Sequence, residues 1–252
     1  MVMRGKIVVT GGTGRLGQVV VERLAERGAE VQSISRRNTT VSVDLRKGAN
    51  IDQAVVGARV IVHCATTNGR GDVEATRNLI EAAKRAGGPH LVYVSIVGVE
   101  GVPMPYYRAK LAAEREIAES GLPWTILRAT QFHDLVAQIL GLAARLPVMP
   151  LPTGFRFQPI DTGDVADRLA ALAAGPPRGR VADMGGPQIL DVRQLAGLYL
   201  MRTGKRRPLV SVPVPGAVAR GYREGRHLAP DHAVGRRTFE EFLAGWAPGP
   251  VG

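Results

Sequence analysis

The sequence predicts an α/β fold: a doubly wound parallel sheet with helices on both faces and a small C-terminal lobe. Three observations predict it. Short apolar runs alternate with segments whose apolar residues recur at helical spacing. Most of those helical segments end on a glycine, a helix stop. The first apolar run leads directly into TGGTGRLG, Thr10 to Gly17, with four glycines in eight residues.

The elements follow in order. Lys6 to Thr10 is an apolar strand, and Arg15 to Arg27 is a helix with Leu16, Val19, Val20 and Leu24 on one side, stopped by Gly28. Ala29 to Ser35 is a second strand, and Thr40 to Asp44 alternates as a third. Ile51 to Val56 is a short helix closed by Gly57, and Arg59 to Cys64 is a fourth strand. A helix over Val73 to Ala86, a strand over His90 to Ser95, a helix over Tyr107 to Ser120 and a strand over Trp124 to Arg128 continue the alternation. Beyond Arg128 it loosens. Leu146 to Pro159 reads as a Pro-rich, aromatic loop, Val165 to Ala174 and Val192 to Thr203 as helices, and Arg180 to Met184 as a short strand. Residues 1–150 are expected to form the nucleotide-binding core, with 156–186 returning to it and 187–252 forming a small substrate or lid region.

At 252 residues the chain is long enough for one sizeable core. No apolar run approaches the roughly 20 residues of a membrane helix, and the start shows no secretory signal pattern. A cytoplasmic protein with no membrane partner is expected. Cys64 is the single cysteine, so no disulfide forms within the chain. The formal charge of +11 comes mostly from arginines scattered through helices and loops. The densest patch, Lys205 to Arg207, lacks interleaved aromatics, so specific nucleic-acid binding is not expected; attraction of anionic ligands is.

A strand, then Gly11, Gly14 and Gly17 at three-residue spacing, then a helix, is the context a dinucleotide site requires. Glycine permits the tight turn and lets a pyrophosphate approach the backbone. The free N–H groups and dipole of the helix N-terminus favour negative charge. Thr13, Arg15 and Leu16 fall within this cradle. The second strand ends Ser35-Arg36-Arg37 without the acid that would hold a ribose 2′-hydroxyl. Arg15, Arg36 and Arg37 instead suit a 2′-phosphate, so NADP(H) is the expected cofactor. Asp44 is placed to meet the adenine amino group, and Cys64, Ala65 and Thr66, after the fourth strand, are expected along the cofactor.

These residues resemble the short-chain dehydrogenase/reductase superfamily in its atypical, extended NmrA-like branch. TGGTGRLG matches the TGxxGxxG of that group. Tyr93-Val94-Ser95-Ile96-Val97-Gly98, Tyr106-Tyr107-Arg108-Ala109-Lys110 with Glu114, Gly121 to Arg128, Ile160-Asp161 and Asp164-Val165-Ala166 follow in family order over about residues 5–170. The resemblance implies a Rossmann core, NADP(H) and, in many members, reduction of a carbonyl, enone or quinone. Other members look like redox sensors without turnover. It also implies that the segment Ala129 to His133, including Phe132, lies against the nicotinamide.

The superfamily's chemistry uses a Tyr and a Lys at i and i+4 and a Ser on the preceding strand. Tyr106 and Lys110 have that spacing, which puts both on one helix face. A nearby ammonium is expected to lower the phenol from about 10 toward neutrality, so that it exchanges a proton with a substrate oxygen. Ser95 would hydrogen-bond the same oxygen. Lys110 would also hold the nicotinamide ribose. Pro105 places Tyr106 in the first helical turn, and the adjacent Tyr107 is the alternative phenol. His133 is a candidate second acid/base or a pocket residue. Phe155, Phe157, Tyr222 and His227 are candidates to line the substrate site, and His63 to pack near the cofactor. The leading expectation is an NADPH-dependent reductase of a small molecule, monomeric or homodimeric. The alternative is an NADP(H)-binding regulatory protein that reads redox state.

Overall fold

The computed structural model describes residues 5–36, 42–67 and 69–246. The first half alternates β1 (Lys6–Thr10), α1 (Arg15–Glu26), β2 (Glu30–Ile34), α2 (Ile51–Val55), β3 (Ala58–His63), α3 (Asp72–Arg85), β4 (His90–Ile96), α4 (Pro105–Ala118) and β5 (Trp124–Ala129). Then come α5 (His133–Ala143), β6 (Met149–Pro152), β7 (Arg156–Phe157), α6 (Thr162–Ala174), β8 (Gly179–Arg180) and β9 (Leu190–Asp191). The chain continues through α7 (Val192–Thr203), β10 (Leu209–Val212), α8 (Ala217–Arg223) and α9 (Phe239–Ala244).

Six strands form one parallel sheet in the order β2-β1-β3-β4-β5-β8. Alternate residues of each strand face opposite sides. Val8, Ile61, Leu91 and Tyr93 pack under α2, α3 and α4. Ile7, Val9, Val60, Val62, Val92 and Val94 pack under α1 and α6. Burial on both faces explains why these strands read as apolar runs rather than as clean alternation. The strand order reverses direction between β1 and β3, and in such sheets the crevice beyond the strand ends at that point is where ligands bind.

A third apolar cluster joins α5, α7, α9, β6 and β7 through Val136, Leu140, Met149, Leu195, Tyr199, Phe239 and Phe242. Two small sheets tie it together, β6 with β10 and β7 with β9. Residues on either side of 150 therefore share this core.

Two expectations need correction. The strand expected over Thr40 to Asp44 lies partly outside the described residues, and its described part makes only single bridges, Ser42 to Ser35 and Asp44 to Ala49. The Asp44 carboxylate accepts from the Arg46 and Lys47 backbone N–H groups at 3.0 and 3.4 Å, which folds the chain into a turn instead. The loop expected over Leu146 to Pro159 holds the short strands β6 and β7, and His133–Ala143, for which no element was expected, is a helix.

Candidate functional site

The glycine turn sits at the carboxyl end of β1, beside the end of β3. Gly11 has φ +68°, and a Cβ there would lie 2.7 Å from the Ala65 Cα. Only glycine lets the two strand ends approach this closely. A Cβ on Gly17 would overlap the Gly11 carbonyl, so Gly17 lets α1 pack onto the turn. A Cβ on Gly14 would meet only the Gly11 oxygen, at 3.1 Å. Gly14 is also the N-cap of α1, with no side-chain cap and no acid in the first turn. Helices α6, α7 and α9 are capped by Asp161, Asp191 and Thr238, while α2, α3, α4, α5 and α8 share the uncapped start; what sets α1 apart is the glycine turn before it. The first-turn N–H groups of α1 thus remain for an anion, and the cradle fits a pyrophosphate.

Behind the turn, Thr10 Oγ1 accepts from the Ala65 N–H at 3.2 Å and lies 2.7 Å from His63 Nδ1. His63 Nε2 lies 3.2 Å from Thr76 Oγ1, which donates to the Asp72 carbonyl. The Thr10 hydroxyl therefore donates to Nδ1 and the His63 proton is on Nε2. Burial, with the Lys110 charge, lowers His63 to about 3 and keeps it neutral. Burial pushes the neighbouring Cys64 thiol up to about 12. Cys64 is inert as a nucleophile on that account.

The arginines divide. Arg36 follows β2 and is exposed, with its carbonyl accepting from Ser42 Oγ at 3.0 Å. Arg37 lies outside the described residues. Arg15 opens α1. It turns toward α5, 3.9 Å from Asp134, and Gln138 offers its amide oxygen to Arg15 Nη1 at 3.3 Å. Arg15 thereby links the glycine turn to α5 of the lobe.

The second half of the site gathers around β4. Lys110 is buried and donates to Tyr93 Oη at 3.1 Å and to the Val94 carbonyl at 2.9 Å, with its ammonium 4.5 Å from the Tyr93 ring centroid. Burial lowers it to about 8, opposed by Asp72. Ser95, the next residue, is buried with no hydrogen-bond partner for Oγ. Tyr106 lies in the first turn of α4, after Pro105 at its start, with Oη 3.5 Å from Thr66 Oγ1. Thr66 Oγ1 is also 2.7 Å from Asp72 Oδ2. Burial works against the Asp72 charge, but hydrogen bonds from Thr66 and Thr67 and the Lys110 charge outweigh it and hold the carboxyl below its ordinary value.

The expected lowering of the Tyr106 phenol does not occur. Burial raises it, with Asp72 and Tyr107 adding to the rise against the Thr66 hydrogen bond, and the Lys110 ammonium is directed to Tyr93 and Val94 instead. Tyr107 is more deeply buried. Its hydroxyl is 3.4 Å from Tyr222 Oη and accepts from Gln131 Nε2 at 3.5 Å, and burial raises its pKa still further. The Gln131 Oε1 is buried without a partner.

From Tyr107 an aromatic cluster extends into the lobe. Tyr222 stacks on Phe155 at 5.1 Å and lies 4.3 Å from His227, and Phe157 is 5.6 Å from His227. The four aromatics expected at a substrate site are thus one cluster. Burial lowers His227 to about 4, and its Nε2 donates to the Arg156 carbonyl at 2.7 Å. Phe132 bridges to Ile160 at the seam between sheet and lobe. His133 faces away, fully buried against Phe239 and Phe242 and donating to the Arg237 carbonyl at 3.0 Å. It is a lobe core residue, which sets aside the acid/base candidate. Tyr93 and Gln131 fell inside the blocks Tyr93 to Gly98 and Ala129 to His133 without a role of their own, and Asp72 was not singled out, although it opens α3 after a Gly-containing turn.

Residues 11–176 match the family model described as NAD(P)H-binding. An uncharacterized protein of Mycobacterium tuberculosis is 27% identical over 229 residues, covering 83% of this chain and 24% of that protein. The chain thus spans about a quarter of the length of these first relatives. A ceramide reductase of Caulobacter vibrioides is 28% identical over 249 residues, covering 86% of this chain and 77% of that protein. Among solved structures, an NADPH-dependent quinone oxidoreductase of Escherichia coli, complexed with NADPH, superposes with a TM-score of 0.77 at 19% identity, covering 94% of this chain and 98% of that one.

Proposed function

Because the chain belongs to the NAD(P)H-binding family, we propose that it is an NADPH-dependent oxidoreductase that reduces a small uncharged carbonyl, enone or quinone. The observation that carries this reading is the buried, unpartnered Ser95 hydroxyl beside the Lys110-bound end of β4. A buried polar group without a partner costs about 1–3 kcal/mol, a cost that a substrate oxygen removes. The bound cofactor supplies a hydride.

The chain's own residues do the rest. The first-turn N–H groups of α1 bind the pyrophosphate over Gly11, Thr13, Gly14, Leu16 and Gly17. Arg36, with Arg37, takes the 2′-phosphate. Asp44 has one carboxylate oxygen outside its turn for the adenine amino group, and Ala65, Thr66 and Phe132 flank the bound chain. Lys110 donates to the nicotinamide ribose. Ser95 donates to the substrate oxygen. Tyr106 delivers the proton to that oxygen, a role suited to a phenol that burial keeps protonated. The wall of Tyr107, Phe155, Phe157, Tyr222 and neutral His227 suits a flat, uncharged substrate. The ceramide reductase among the relatives supports the direction of the reaction.

The test is NADPH oxidation against a panel of quinones, enones and ketones. Turnover is expected, and Tyr106→Phe is expected to lower kcat by about 10²–10⁴-fold while Tyr107→Phe leaves most of it. Turnover unchanged in Tyr106→Phe and lost in Tyr107→Phe transfers the proton to Tyr107. Tight NADPH binding without turnover of any substrate refutes the enzyme and leaves the redox sensor.

A further inference from the structure

Helix α5 is apolar on both sides. Val136, Ala137 and Leu140 face the lobe core, while Leu135, Ile139 and Leu142 point outward at helical spacing, with Ile139 55% and Leu142 52% exposed. Leu146 and Val148, in the following turn, extend the stripe. A surface helix ordinarily turns a polar face to water, so this face is built to meet something apolar.

The charge around it says what. Between Leu135 and Ile160 the sequence has no Asp or Glu, and between Val192 and Arg223 it has none either. The structure brings these two acid-free segments together. Strand β6 pairs with β10, the Met149 N–H donates to the Pro208 carbonyl at 2.9 Å, and Arg207 Nε donates to the Ala144 carbonyl at 3.3 Å, at the end of α5. Arg145, Lys205 and Arg206 are exposed around this junction. Beyond Asp134 in the first turn of α5, which faces Arg15, the charged side chains of these two segments are all cations.

We propose that this face seats the protein on the surface of a membrane containing anionic phospholipid. The α5 stripe enters the headgroup boundary, and Arg145, Lys205, Arg206 and Arg207 meet lipid phosphates. A second copy of the chain fits less well, because any pairing of this face with itself sets like charges against each other. A protein partner also fits less well: the exposed apolar side chains here are all Leu, Ile, Val or Met, without the Trp and Tyr that anchor protein interfaces. Among the described residues no helix is long and apolar enough to cross a membrane, so the association is superficial.

The experiment is co-sedimentation of the full chain with phosphatidylcholine vesicles made with and without phosphatidylglycerol. Binding is expected only with phosphatidylglycerol and is expected to weaken as salt is added. Ile139→Gln with Leu142→Gln is expected to cut binding roughly tenfold or more. Arg145→Gln and Arg206→Gln are each expected to cut it about fivefold. These side chains are exposed, so thermal unfolding followed by circular dichroism stays at the wild-type midpoint. Absence of binding, equal binding to both vesicles, or binding indifferent to the Ile139 and Leu142 changes overturns the proposal. A dimer in sedimentation velocity that the same two changes dissociate also overturns it and assigns the face to a second copy.

Discussion

Replacing Lys110 by methionine tests how the chain grips the cofactor. The side chain is buried, and its ammonium holds the Tyr93 hydroxyl and the Val94 carbonyl. Hydrogen bonds from a charged donor are worth about 1.5–3 kcal/mol. If Lys110 also holds the ribose, Lys110→Met weakens NADPH binding about 10–150-fold. The charge gives a second, independent readout. Burial has lowered Lys110 to about 8. The ammonium therefore dominates near neutral pH and the amine dominates about one unit above that value. The dissociation constant of wild type is then expected to rise roughly tenfold between about pH 7 and pH 9, whereas that of the variant stays flat. Fluorescence titration with NADPH across this range measures both. The thermal midpoint reports separately on the Tyr93 and Val94 groups that methionine leaves without their donor. A wild-type constant that does not change with pH, or a variant that keeps the same break, refutes the assignment of Lys110 to the cofactor.

Two further outcomes follow from the geometry. Arg36→Ala is expected to lower the preference for NADPH over NADH by about 10–150-fold while leaving NADH binding near wild type, as for one charge-assisted contact to the 2′-phosphate; titration of both cofactors decides it, and equal losses for the two would place Arg36 elsewhere. His63→Leu is expected to flatten the acid limb of stability. The folded chain keeps His63 neutral down to about 3, whereas the unfolded chain takes up the proton near 6.5. Stability from this group is therefore complete above about 6.5 and is lost as pH falls toward 3, amounting to about 2 kcal/mol by roughly pH 5. Urea unfolding of wild type and variant at about pH 7 and pH 5 checks the difference; parallel losses would mean that His63 titrates normally in the folded chain.

What was legible in the sequence was local. The strand, the glycine spacing and the helix that follows lie within some twenty residues, and each glycine answers to a neighbour in the turn itself. The alternation behind the sheet is equally local. Helix α5 was hidden because His133–Ala143 carries apolar residues on both sides and lacks the broad polar face of α1 and α3. The Tyr106–Lys110 spacing correctly set both residues on α4, but spacing does not say where a long side chain ends. The Lys110 ammonium reaches β4 rather than the phenol. Gln131, Tyr93 and Asp72 acquire their places only from partners 24, 17 and 5 residues away in sequence or from helices packed above them.

Burial is the first cause of nearly every shift around the site, and it acts toward neutrality. It lowers His63, His227 and Lys110, and raises Tyr106, Tyr107 and Cys64. Asp72 is the exception, held charged by Thr66, Thr67 and Lys110 against its own burial. Such surroundings penalise an ionised substrate and favour one whose oxygen is neutral until hydride arrives. On the proposed reading, the negative charge developing on that oxygen would fall beside the Ser95 hydroxyl, the Tyr106 phenol and the Lys110 ammonium. In buried surroundings those three donors would stabilise it far more than water-exposed groups. The same desolvation that withholds charge from the resting residues therefore concentrates their effect on the transition state.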